Sequence, residues 1–138
     1  MLDLLSADGG YSDDKGKVLR GNGSADAGAP GTLREGTVSV NGRLPPELIK
    51  RLIRHAFDRI RLCYATGLRS NPKLAGVVEI RFVIDQTGAV SLAQDHGSTM
   101  PDSGVTQCVV RILGSLSFPQ PEGGGIVTVI YPVTLSPS

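Results

Sequence analysis

Residues 77–92 read VVEIRFVIDQTGAVSL, and this stretch decides the fold. Its first half alternates between apolar and polar side chains, so that one face collects Val78, Ile80, Phe82 and Ile84. Residues 85–88 form a short loop that places Gly88 where a hairpin needs a positive φ. Val90 and Leu92 continue a return strand to about Asp95. The stretch therefore predicts a β-hairpin with one buried face.

Two amphipathic helices flank the hairpin. The first begins at Pro45–Pro46 and ends at Asn71–Pro72, because proline suits a first helical turn and disfavours helix in the residue before it. Its apolar stripe recurs every three or four residues and contains Leu48, Ile49, Leu52, Ile53, Ala56, Phe57, Ile60, Cys63, Tyr64 and Leu68. The second helix is capped by Asp102, and its stripe contains Val105, Cys108, Val109, Ile112, Leu113 and Leu116.

Strands precede and follow this central part. A short one is predicted at Thr37–Val40, and a β-branched run extends over Ile126–Leu135. The order β-α-β-β-α-β predicts an α+β fold, with an antiparallel sheet and two helices packed on one of its faces. Pro132 cannot donate to a strand ladder, so it predicts an edge strand or a bulge.

The last strand is the candidate partner-binding element. A long edge strand invites pairing with another chain, and its retention suggests that a partner's extended segment adds to it. The candidate residues are Ile126, Val127, Thr128, Val129, Ile130 and Tyr131. Two alternatives stay open, an edge protected by Pro132 and a homodimer formed through the edge.

Cys63 and Cys108 are the only cysteines, one on each predicted helix. They form a disulfide or remain two separately buried thiols. A bond would join the two helices and would indicate folding outside the reducing cytosol. Since 45 positions separate the cysteines, loop entropy predicts a stabilisation of about 4 kcal/mol.

The chain divides by composition. Residues 1–36 contain eight glycines and few large apolar side chains, which predicts a flexible, disordered linker, whereas residues 37–138 form the domain. No run of 18 apolar residues or signal peptide is visible, although a disulfide requires export. We therefore expect the C-terminal piece of a longer protein whose membrane segment lies upstream.

The charge is balanced overall, at +1, but not locally. Residues 45–70 carry six basic and two acidic residues, and the basic face of the first helix contains Arg51, Arg54, Arg59 and Arg61. Such a face binds peptidoglycan or another anionic surface, or is simply solvated.

No sequence feature indicates an enzyme. His96 with Asp95 and Ser98 lies on one short loop, where a nucleophilic triad rarely achieves its geometry. Two cysteines with His55 and His96 have no metal-ligand spacing, and no nucleotide-binding fingerprint is present. We expect no catalytic residue, metal or cofactor. The few aromatic residues, which occupy core-like positions, argue against nucleic acid.

Several motifs resemble a known family as a set. They are Arg61–Tyr64, Asn71–Gly76, Arg81–Ile84 with Gly88, Cys108, Phe118–Pro119 and Val127–Pro132. In this order, over about residues 36–138, they resemble the C-terminal domain of the myxobacterial gliding-motility proteins AgmX and PglI, which is similar to the C-terminal domain of TonB.

The resemblance implies a periplasmic domain tethered to the inner membrane. Such a domain couples an inner-membrane motor to an outer-membrane or periplasmic envelope protein by edge-strand pairing. It also implies a bridge between Cys63 and Cys108. In one departure from the family, Leu116–Ser117 stands where members commonly have an aromatic or basic residue, so a large exposed aromatic side chain is missing there.

Overall fold

A computed structural model describes residues 31–137, which form an α+β domain. Its sheet has five antiparallel strands, namely β1 (Thr32–Glu35), β2 (Ser39–Asn41), β3 (Gly76–Ile84), β4 (Val90–Asp95) and β5 (Val127–Ser136). Its helices are α1 (Pro46–Arg54), α2 (Phe57–Ser70) and α3 (Ser103–Gly114). The predicted fold class and hairpin are confirmed at this level. The predicted linker, except residues 31–36, lies outside the described residues.

The core lies between one face of the sheet and the helices. From Val78 onward every second residue of β3 is buried, as is every second residue of β5, and buried apolar side chains of all three helices join the same cluster. The largest fully buried side chains are Tyr64, Tyr131 and Phe82. The opposite face of the sheet is only half-buried, as expected when one face of an antiparallel sheet packs on the core.

The predicted first helix is two helices. α1 ends at Arg54 and α2 begins at Phe57, because the N–H of Ala56 donates to the carbonyl oxygen of Ile53, three residues back, at 2.8 Å. The buried side chains continue at three- and four-residue spacing through the turn, so periodicity alone does not reveal the break.

The sequence does not predict β1, because residues 32–35 fall within the expected linker. In the structure they pair with β5 from Thr32↔Ser136 to Glu35↔Val133. The side chain of Glu35 accepts from the Tyr131 hydroxyl at 2.6 Å and from Arg54 at 2.9 Å. One buried tyrosine and one arginine of α1 thus fix this strand to the domain.

The prediction that the last strand is an edge is wrong. The strand order is β1-β5-β3-β4, and β1 and β2 lie end to end along the same side of β5. β5 therefore pairs with β3 on one side and with β1 and β2 on the other. β4 is the edge strand on the other side of β3.

Pro132 occupies this central strand because its nitrogen faces a gap in the ladder. The carbonyl oxygen of Pro132 accepts from Gly36 at 2.9 Å, between the parts of β5 that pair with β1 and β2. In an extended strand the N–H and C=O of one residue point to the same side. The missing N–H therefore costs no hydrogen bond to β3.

Candidate functional site

The strand proposed from the sequence to bind a partner is not free to do so. Val127–Tyr131 lie within β5 and are paired to β3 throughout, while Thr128, Val129 and Ile130 are also paired to β2. Ile126 precedes β5 and is 62% exposed, but it belongs to no strand. A further strand cannot add along residues 126–131 without displacing β2.

In the part of the chain that the structure describes, three strands have an open side, β1 and β2 at one edge of the sheet and β4 at the other, and β4 is the longest of them. Among residues 31–137 it pairs with β3 alone, from Ile80↔Asp95 to Ile84↔Val90. The N–H of His96 donates to the carbonyl oxygen of Glu79 at 2.7 Å. Because the direction of hydrogen bonding alternates along a strand, Ala93 and Asp95 point their N–H and C=O groups away from β3. These four groups form an open template for one more strand.

The start of this edge is limited by local structure. At the start, the N–H of Phe118 donates to the carbonyl oxygen of Gly88 at 2.9 Å, and Ala89 bridges Ser117. Gly88 has φ +92°, and a Cβ there would lie 2.0 Å from the Phe118 oxygen, so only glycine fits. A bulge follows at Ser91. The open template is therefore residues 92–95.

The half-buried face of the sheet continues onto this edge. Leu92 lies beside Val83 on that face and is 43% exposed. Gln94 lies beside Arg81, which is half-buried. A strand added to β4 would place alternate side chains next to Leu92 and Gln94.

On the helix side, the edge lies close to α3. A Cβ built on Gly114 would lie 3.6 Å from the Cβ of Ala93, an ordinary van der Waals distance. This pair of small residues brings the end of α3 close to the edge strand. The end of α3 therefore packs against the core-facing side of β4.

The loop after β4 has a structural role. The Ser98 hydroxyl accepts from the N–H of Glu79 at 2.9 Å and donates to its carbonyl oxygen at 3.3 Å. Hydrogen bonds from the side chain and backbone of Ser98 lower the pKa of Asp95. His96 Nδ1 lies 2.8 Å from a carboxylate oxygen of Glu79. Because His96 contacts Glu79 and no hydrogen bond links it to Ser98, the hydrogen bonds of this loop do not form a nucleophilic triad.

The disulfide between Cys63 and Cys108 is present and joins α2 to α3. Cys63 is buried and Cys108 is half-buried. The bond lies within the helical layer, so it fixes α3, the helix beside the open edge, to the rest of the core.

The predicted basic face is partly neutralised. Arg54 pairs with Glu35 at 2.9 Å, and Arg61 pairs with Asp58 at 3.1 Å. Arg51 and Arg59 are exposed and have no ion pair within the part of the chain that the structure describes. The four arginines therefore do not act as one free cationic surface.

The described residues hold no cluster of three or more His, Cys, Asp or Glu side chains suited to a metal ion. No helix within residues 31–137 is both long and apolar enough to cross a membrane.

Comparison with protein-family models, curated proteins and solved structures finds no match to this chain. The resemblance to gliding-motility and TonB-like domains thus remains a prediction from the sequence motifs.

Proposed function

We propose that this chain is a non-enzymatic docking domain that binds an extended segment of a partner protein along β4. The observation that carries the proposal is the one-sided pairing of β4, which leaves the backbone groups of Ala93 and Asp95 directed outward. Extended peptides commonly bind in this way, by adding a strand to a sheet edge.

The length of the template sets the strength of the interaction. Two outward residues offer four backbone hydrogen bonds, each worth about 0.5–1.5 kcal/mol net. The sum, about 2–6 kcal/mol, must offset the entropy lost when two molecules associate. Backbone pairing alone therefore gives weak, reversible binding, and added side-chain interactions or a tether to the same machine are needed for lasting engagement.

Two observations support the proposed compartment, the disulfide and the motif resemblance. Disulfides persist in oxidising compartments, which supports a periplasmic location. The resemblance supports a tether to the inner membrane through an upstream region, and an outer-membrane or periplasmic envelope protein as partner. In this proposal the domain transmits force from an inner-membrane motor, as in gliding or TonB-like systems.

Binding of peptidoglycan or another anionic surface through the helix face is the weaker proposal. Two of the four arginines, Arg54 and Arg61, already have carboxylate partners. Only Arg51 and Arg59 remain for an anionic ligand.

The test is a nuclear magnetic resonance titration of the 138-residue chain with a seven-residue peptide of alternating Val and Thr, blocked at both ends. We expect the largest amide shifts at residues 92–95. Ala93→Pro removes an outward N–H and should abolish them, whereas Ala93→Ser keeps this N–H and should preserve them. Shifts confined to β5 or to α1, or an unchanged response in Ala93→Pro, would contradict the proposal.

A further inference from the structure

We infer that the segment bound by β4 carries an apolar and an acidic residue two positions apart, and that Arg81 selects the acidic one. This inference rests on the proposed function. It concerns the half-buried face of the sheet, where alternate side chains of an added strand would lie.

The first position is set by a row of apolar and β-branched side chains. Leu92 on β4, Val83 on β3 and Thr128 on β5 lie side by side across the sheet. Leu92 is 43% exposed, although it lies within a strand. An apolar partner residue beside Leu92 would cover this side chain and extend the row by one strand.

The second position lies in the neighbouring row, which contains Gln94, Arg81 and Ile130. Arg81 is half-buried and has no ion pair within residues 31–137. The carboxylate of Glu79, which points to the same face, is already 2.8 Å from His96. Arg81 is thus a positive charge in the middle of the open face without a described counter-charge.

The spacing of the strands allows the long side chain of Arg81 to reach an acidic residue on the added strand. Neighbouring strands lie about 4.8 Å apart, so a partner residue beside Gln94 would have its backbone about 10 Å from that of Arg81. An arginine and a glutamate or aspartate can meet across one intervening glutamine at this separation. A lysine of the partner beside Gln94 would instead face the positive charge of Arg81.

A second copy of the chain does not supply this carboxylate. If two β4 strands paired antiparallel about Ala93, Leu92 of one copy would lie beside Gln94 of the other. If they paired about Gln94, the two Gln94 side chains would face each other. Neither arrangement places an acidic residue beside Gln94, so charge complementarity favours a foreign segment over self-association.

The experiment uses threonine-based, end-blocked peptides of seven residues with Val and Asp two positions apart, in both orders, and matched peptides with Lys in place of Asp. Amide shifts at residues 92–95 of the full 138-residue chain give the dissociation constants. The two orders report whether the segment runs parallel or antiparallel to β4. We expect one Asp peptide to bind about three- to tenfold more tightly than its Lys counterpart, because Asp forms a surface ion pair with Arg81 whereas Lys is repelled by it.

Two variants isolate Arg81. Arg81→Gln should remove the difference between Asp and Lys peptides, and Arg81→Glu should invert it. Arg34→Gln is the matched control, because Arg34 lies on the same face but on β1, at the far side of the sheet, and it should change nothing.

Equal affinity of Asp and Lys peptides at β4 would overturn the inference and leave the proposed function standing. A preference for Asp that survives Arg81→Gln would overturn it as well. If no peptide shifts residues 92–95, the proposed function itself fails. Shifts there that depend only on protein concentration would identify a second copy as the occupant and would also overturn the inference.

Discussion

Reduction of the Cys63–Cys108 disulfide should cost this domain a large part of its stability. The bond closes a loop of 45 positions, for which chain entropy gives about 13 cal/mol/K, or about 4 kcal/mol at 25 °C. A domain of this size is stable by about 5–15 kcal/mol in total. The loss corresponds to a fall of roughly 15–30 °C in Tm. We therefore expect the reduced protein to be marginal at physiological temperature.

The assay is urea denaturation of the oxidised and the reduced protein, followed by circular dichroism. Reduction should lower the unfolding free energy by about 4 kcal/mol and raise the m-value, because the denatured chain without its cross-link exposes more surface. The double variant Cys63→Ala/Cys108→Ala is the control and should not respond to reductant. A loss below about 1 kcal/mol on full reduction of both sulfurs would refute the entropic argument.

Three further changes test other parts of the structure. Gln94→Pro removes an N–H that bonds to β3 and leaves a carbonyl oxygen there unpaired, so in urea denaturation it should cost about 1–3 kcal/mol more than Ala93→Pro, which removes only an outward N–H; equal losses would contradict the assigned direction of the β4 backbone. Tyr131→Phe should cost about 1–2 kcal/mol at about pH 7, because the hydroxyl no longer donates to Glu35. Burial, followed by the bond to Glu35, raises the pKa of Tyr131, so its stabilising effect is present below about pH 10 and is lost as the pH rises further. The loss of stability between about pH 10 and pH 12 should therefore be smaller in Tyr131→Phe, and denaturation curves with equal alkaline slopes would contradict this. Asp102→Ala should cost about 1 kcal/mol, since its carboxylate accepts from two backbone N–H groups at the start of α3, and Asp102→Asn should restore most of it.

The sequence predicts the hairpin and the helical surfaces well, because each depends on local spacing. The alternation in β3, the loop glycine Gly88 and the cap at Asp102 all have local physical causes. The break at Ala56 could not be predicted, because the apolar stripe runs through it without interruption. The break consists of a single backbone hydrogen bond between residues three apart, from Ala56 to Ile53.

The edge of the sheet could not be predicted, because strand order depends on interactions between distant residues. Pro132 indicates an edge, but its nitrogen faces a gap left between two short strands. β1 lacks a strong strand signal of its own and is held by Glu35 through hydrogen bonds with Tyr131 and Arg54. Nothing in the residues of Val90–Asp95 marks this strand as an edge; like β1 and β2 on the opposite side of the sheet, it is an edge only because one neighbour is missing.

Amide hydrogen exchange, measured with and without the Asp peptide, tests most directly whether β4 is the docking edge. In the free protein we predict rapid exchange at Ala93 and Asp95 and slow exchange at Leu92, Gln94 and residues 127–131. Bound peptide should then slow exchange at Ala93 and leave residues 127–131 unchanged. Slow exchange at Ala93 in the free monomer, or peptide-induced protection confined to residues 127–131, would contradict the account.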